Sequence, residues 1–132
     1  MNVMTLPARP LMEQIEALEQ GLPSRTLGDL AKVLALPKKG LIDALRLVQR
    51  TVTQREQKGE RFSPAESERL FRVIRVRAQA REVFSTDAAV AEWLNEPDRS
   101  LGQKTPLQML RTDLGSQKVG SLLQAMIHGV PV

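Results

Sequence analysis

The chain has 132 residues, a formal net charge of +4, no cysteine, no tyrosine and a single histidine. That length suits one compact unit or two very small ones, and the missing cysteine removes disulfides, thiolate metal sites and thiol nucleophiles. No apolar run is long enough to cross a membrane, and the start MNVMTLPARP lacks the basic segment and apolar core of an export signal, so a soluble cytoplasmic protein is expected. The charge is uneven: residues 1–81 carry 15 Lys and Arg against 9 Asp and Glu, and residues 82–132 carry 4 against 6, giving +6 followed by −2. A basic first half attracts phosphate backbones or acidic protein surfaces, although an excess of this size also suits an ordinary solvated face.

In chain order, PLMEQIEALEQG places Leu11, Met12, Ile15 and Leu18 at helical spacing and closes at Gly21. TLGDLAKVLAL sets Leu27, Leu30, Ala31 and Leu34 on one face. Thr26 and Asp29 make a capping-box-like pair at its start, and Pro37 forces its end. KKGLIDALRL repeats the spacing with Leu41, Ile42 and Leu45, and a polar, basic element over QRTVTQREQKG closes at Gly59. SPAE at 63–66 combines an N-cap serine, a proline at the first helical position and a glutamate able to reach back. It opens the longest helix, expected to run through Leu70, Phe71, Val73 and Ile74 to Val83 and Phe84, with Arg69, Arg72 and Arg75 as a positive stripe in water. Thr86 and Asp87 cap AAVAEWL. Pro97 ends it, residues 95–104 are a connecting loop, and Thr105, Pro106 and Gln108 open another helix that Gly115 is expected to stop. The last helix carries Val119, Leu122, Leu123, Met126 and Ile127 as one stripe and ends at Gly129. No segment reads as a strand, so the expected fold is all-α, with two small helical units.

Catalysis has little to stand on: there is one His, no Cys or Tyr, and no glycine-rich phosphate loop. His128 suits the carbonyls at a helix end, and Asp43, Glu56 and Asp113 have no partner at metal-ligand spacing. No catalytic residue, metal site or cofactor is expected. A helix-turn-helix unit fits the first half in two registers. In one, residues 37–46 form the reading helix, with Lys38, Lys39 and Arg46 facing DNA. In the other, residues 49–58 read, with Gln49, Arg50, Thr51, Gln54 and Arg55 exposed and able to contact base edges and phosphates. The second register puts Ile42 at the small position and Arg46 at the turn position that favours glycine.

The run from GERFSPAESERLFRV through WLNEPDRSLGQKTPLQML to GSQKVGSLLQAMIHGV resembles the Xre/MbcA/ParS-like antitoxins, in particular those encoded with RES-domain toxins. The resemblance spans roughly residues 21 to 130, and its specific elements are WL..P...LG.KTPL at 93–107 and G...V..LL....HGV at 115–130. It implies an N-terminal helix-turn-helix region that represses its own promoter and a C-terminal helical domain that blocks the toxin. A RES toxin is similar to ADP-ribosyltransferases and depletes NAD, so NAD would be the partner's substrate. The family's LGISRRTL-like segment falls on LRLVQRTV at 45–52, which favours the second register, with Arg46 and Val48 in place of Gly and Ser. The main departure in the C-terminal part is Gln103, where a second glycine is common.

The division expected is 1–62 for the DNA-binding region and 63–132 for the long helix and toxin-binding domain. Trp93, Leu94, Leu107, Leu110, Val119 and Leu123 are expected in the core, because a small domain needs its large apolar residues inside. Toxin contacts then fall to the loop residues Asp98, Arg99, Ser100, Gln103 and Lys104. The end of the chain supplies the rest, through Met126, His128, Gly129, Val130, Pro131 and Val132. The expected partners are a RES-domain toxin, operator DNA and a second copy of the chain, with no membrane. The competing reading is a dimeric helix-turn-helix regulator that has no toxin partner.

Overall fold

In the computed structural model, which describes residues 2–129, no β-strand forms, and extended pairing is limited to one isolated bridge between Asp98 and Lys104. Eight α-helices are present among the described residues: α1 Leu11–Gln20, α2 Thr26–Leu34, α3 Lys38–Ala44, α4 Gln49–Lys58, α5 Pro64–Ala80, α6 Asp87–Leu94, α7 Pro106–Met109 and α8 Asp113–Ile127. Short 3-10 turns at Val3–Ala8 and Arg99–Leu101 complete them.

The central element is α5. Its start is fixed by a full capping box: Ser63 Oγ accepts the Glu66 amide at 3.1 Å, and the Ser63 amide donates to Glu66 Oε1 at 2.7 Å. Ser67, Leu70, Phe71, Val73, Ile74, Val76 and Ala80 are buried, which is more than one amphipathic stripe and marks a helix enclosed on most sides. It packs against α1, α2, α6, α8 and the N-terminal 3-10 turn. That turn, which sequence patterning did not reveal, buries Val3 and Leu6. One apolar cluster runs from Leu6 through Leu34, Ile42, Val52 and Ile74 to Leu94, Leu107 and Leu123, so both halves of the chain share a core. Each such side chain contributes about 1.5–3 kcal/mol on burial.

Two consecutive turns of the first half are built alike. Ala35 (φ 49°) follows α2 and Arg46 (φ 54°) follows α3, and each is succeeded by a leucine whose amide reaches back five residues: Leu36 to the Ala31 carbonyl and Leu47 to the Ile42 carbonyl, both at 2.9 Å. These are Schellman closures, in which a left-handed residue frees the chain to satisfy the carbonyls of the last helical turn.

Several expectations are corrected. Thr26 does not cap α2: Arg25 holds the N-cap position without a side-chain bond, and Thr26 is the first helical residue, fully buried with its hydroxyl unpaired. The long helix stops at Ala80, so Val83 and Phe84 lie beyond it and pack only half-buried. Trp93 is likewise half-buried, its ring 5.8 Å from that of Phe84, whereas Leu94, Leu107, Leu110, Val119 and Leu123 are in the core as expected. Leu11, Met12 and Ile15 are exposed, and α1 buries none of its residues.

Gly115 does not stop a helix; it opens one. Thr112 is the N-cap of α8, its hydroxyl accepting the Gly115 amide at 3.0 Å. A Cβ at Gly115 would stand 1.9 Å from the Met109 carbonyl oxygen, so the glycine lets the end of α7 pass against the first turn of α8. Gly115→Ala is expected to cost about 1–3 kcal/mol. Gly120, in the same helix, gives the opposite expectation: a Cβ there would meet nothing within 4 Å, and Gly120→Ala should gain up to about 1 kcal/mol. Thermal midpoints of the two variants, moving in opposite directions, check both.

Candidate functional site

Both helix-turn-helix registers can be placed on the structure. On α4, Gln49, Arg50 and Gln54 are exposed and Thr51 is half-buried, while Val52 is the single buried residue that anchors the helix. Arg55 is engaged internally: its Nε donates to Glu66 Oε1 at 3.1 Å, the same oxygen that completes the α5 capping box, and its Nη1 lies 3.4 Å from Glu60. Of the other register, Lys38, Lys39 and Arg46 are all exposed, and Lys38 Nζ also pairs with Glu56 on α4 at 2.6 Å. The open polar row of α4 is therefore Gln49, Arg50 and Gln54, extended by the exposed Gln57 and Lys58, which sequence patterning did not single out.

In the second half, the loop at 95–104 is a closed structure. The Asp98 amide donates to the Lys104 carbonyl at 3.0 Å and the Gln103 amide to the Asp98 carbonyl at 2.9 Å. Asp98 Oδ1 accepts both the Ser100 amide at 2.8 Å and the Ser100 hydroxyl at 2.6 Å. Leu101 is buried beneath, and Gly102 (φ 66°) and Gln103 (φ 68°) form a consecutive left-handed pair, the conformation that favours glycine twice. The glycine that the resemblance led one to expect at position 103 would have its physical reason there. Asp98 and Ser100 thus hold the loop, while Arg99, Gln103 and Lys104 are exposed.

At the far end, α8 buries Val119, Leu122 and Leu123, whereas Met126 packs half-buried against the core. His128 and Gly129 are exposed, with His128 Nε2 3.1 Å from Gln124 Oε1. Val130, Pro131 and Val132 lie outside the described residues.

The arginine stripe of α5 is not a merely solvated face. Arg72, with 14% of its side chain exposed, donates from Nη1 to the carbonyls of Leu110 and Arg111 at 3.3 and 3.1 Å. Arg75 donates to Ser116 Oγ at 3.2 Å and lies over the Phe71 ring, and Arg69 donates to the Arg46 carbonyl at 3.2 Å. In return Arg111 Nε donates to the Ala44 carbonyl, the last of α3, at 2.6 Å. Between α5 and α6, Arg77 clasps Asp87 with two bonds of 2.8 and 3.0 Å, joined by Arg81 at 3.2 Å. The hydrogen bonds from Arg77 hold the Asp87 carboxyl below its usual value, against the opposing pull of burial. None of these pairings has a sequence signature, because each joins an arginine to a group whose position only the fold supplies. Among the described residues, no group of three or more His, Asp or Glu side chains could hold a metal ion. No helix there is long and apolar enough to cross a membrane.

Two family profiles match this chain. One, described as the antitoxin Xre-like helix-turn-helix domain, matches residues 13–75. The other, described as the antitoxin Xre/MbcA/ParS C-terminal toxin-binding domain, matches residues 79–129. Among curated relatives, a protein named Antitoxin Xre from Yersinia enterocolitica is 29% identical over 126 residues, covering 95% of this chain and 85% of its own length. One of the same name from Photorhabdus laumondii is 29% identical over 114 residues, covering 86% and 77%. A third, from Pseudomonas putida, is 32% identical over 80 residues, covering 61% of this chain and 50% of its own.

The left-handed residues at both surfaces give a direct expectation. A non-glycine residue there costs roughly 1–2 kcal/mol, partly offset by the greater chain entropy that glycine must lose. Arg46→Gly and Gln103→Gly should each raise stability by up to about 1 kcal/mol, measured as a higher urea midpoint at unchanged slope.

Proposed function

The chain belongs to the Xre/MbcA/ParS antitoxins, and from that premise we propose that it neutralises a RES-domain toxin by covering the toxin's active site. In this reading it also represses its own operon by binding DNA as a homodimer in the cytoplasm. The toxin is an NAD-depleting, ADP-ribosyltransferase-like enzyme; the antitoxin itself turns nothing over and needs no cofactor. Functionally the chain divides at residues 62 and 63, with α5 belonging to the toxin-binding part while contributing its buried face to both.

The observation that carries this reading is what α8 presents past its last buried residues. That helix secures itself with Val119, Leu122 and Leu123 and then presents exposed His128 and Gly129, leading into the final three residues. Exposed residues past the last buried stripe can enter a cleft without disturbing the fold that carries them. The exposed loop groups Arg99, Gln103 and Lys104 offer polar contacts beside a substrate site built for a charged dinucleotide. For DNA, the exposed Gln49, Arg50 and Gln54 on α4 support the second register: glutamines suit adenine edges and an arginine suits guanine or phosphate.

Deleting residues 128–132 should leave the helical circular dichroism unchanged while weakening toxin inhibition at least several-fold, since contacts at an interface centre are each worth on the order of 1 kcal/mol or more. Full inhibition by the folded truncation would move the blocking surface to the 95–104 loop. Arg50→Ala should weaken operator binding and, if it contacts a phosphate, lower the slope of log affinity against log salt by about 0.9. Lys39→Ala should do little; the reverse pattern would select the first register. A chain that binds its operator but does not co-purify with the product of the adjacent gene would instead be a plain transcription regulator.

A further inference from the structure

α8 turns one face to the core: Gly115, Ser116, Val119, Leu122 and Leu123 are buried. Leu114, the second residue of the same helix, is left 76% exposed. Among the described residues of 79–129, the range that matches the toxin-binding profile, it is the one large apolar side chain that stays exposed. Helix capping does not account for it, because a hydrophobic staple at this helix start would use the positions of Arg111 and Ser116.

A single exposed leucine is ordinary on a protein surface, and its surroundings are what set this one apart. Leu114 and the half-buried Met109 line a cleft of about 350 Å³ whose ionisable lining groups are Lys104 and Arg111. Neither cation pairs with a carboxylate among the described residues, and Arg111 engages the Ala44 carbonyl through its Nε. Asp113, the neighbouring acid, accepts from Gln117 at 2.9 Å and borders the groove beside α1 instead. Methionine adapts its shape to an incoming side chain. The cleft therefore suits an apolar side chain flanked by a carboxylate.

Its place in the fold says which molecule supplies them. Lys104 is one of the outward groups of the 95–104 loop, so the cleft and the loop are one surface. In the other direction Leu114, Lys118, Ser121 and His128, all exposed, recur at spacings of four, three and seven residues, which keeps them on one side of α8 over about 20 Å. That strip joins the loop to His128, the two regions assigned above to the toxin, and an interface of ordinary size spans it.

We infer that Leu114, with Met109 beside it and Lys104 and Arg111 at the rim, is an anchor for the toxin, receiving an apolar side chain that has an acidic group next to it. This rests on toxin neutralisation as proposed above and adds the contact made by the start of α8.

Binding of the full chain to the immobilised product of the adjacent gene tests it. Leu114→Glu removes the apolar anchor but places an acid in the first turn of a helix, where it favours folding, so circular dichroism and the thermal midpoint should not fall. It should raise the dissociation constant at least about tenfold, and Leu114→Ala, which adds no charge, should raise it several-fold. Lys104→Glu should weaken binding and flatten its salt dependence. Met12→Glu, on the exposed face of α1, should leave the affinity unchanged. Folded Leu114 variants that bind as tightly as the wild type would overturn this anchor and leave the toxin reading standing. A wild type that does not bind the toxin would overturn that reading itself. Unchanged toxin affinity combined with lost self-association in sedimentation would assign Leu114 to a second copy instead.

Discussion

The carbonyls of Leu110 and Arg111 lie just past the end of a four-residue helix, and Arg72 reaches both from the middle of α5. A buried carbonyl left unpaired costs about 1–3 kcal/mol, so short helices are expensive unless another element completes their ends. This protein is made largely of short helices, and its solution is to let arginines on one long helix and its neighbours serve as the missing donors. Arg69 does so for the turn after α3, and Arg111 for the last residue of α3 itself. The α5 column, buried on most sides by apolar residues, fixes where those guanidinium groups stand.

The consequence is that the candidate DNA-facing helix and the toxin-binding half are mechanically joined. Arg111, beside the α7 end that Arg72 secures, holds α3, and α3 sets the turn from which α4 departs. Arg55 adds a second tie, since it shares Glu66 with the cap of α5. A single apolar cluster spans both halves, so neither forms its core alone. The surfaces left free for partners are those that this network does not consume: the row along α4, the outward groups of the 95–104 loop, His128 and Gly129 past α8, and the stripe on α1.

The turns show how backbone conformation sets residue choice. Arg46 and Gln103 both sit at positive φ, where a side chain is strained, and both are positions at which the sequence resemblance led one to expect glycine. Gly115 illustrates a different demand: there a carbonyl occupies the space a side chain would need. Although all three positions bear on glycine, two are governed by torsion and one by contact.

Much of this protein was legible in its sequence because local chemistry acts over three or four residues. The capping boxes at Ser63 and Thr105, the N-cap at Thr86 and the apolar spacing of α2, α5 and α8 place the helices, and the WL..P...LG.KTPL pattern identifies the family. Local chemistry also misled where two readings share the same residues: Gly115 can end one helix or open the next, and the Thr112 cap together with the nearby Met109 carbonyl decides. The fate of α1's apolar stripe, the conversion of α5's arginines from a solvated face into donors for distant carbonyls, and the withdrawal of Arg55 and Lys38 into ion pairs were decided by tertiary structure alone. Apart from Glu60, which lies five residues from Arg55, the hydrogen-bond partners of Arg55, Lys38, Arg69, Arg72 and Arg75 stand 11 to 41 residues away in the chain. A periodic pattern states that a face exists, but what faces it depends on how the helices pack.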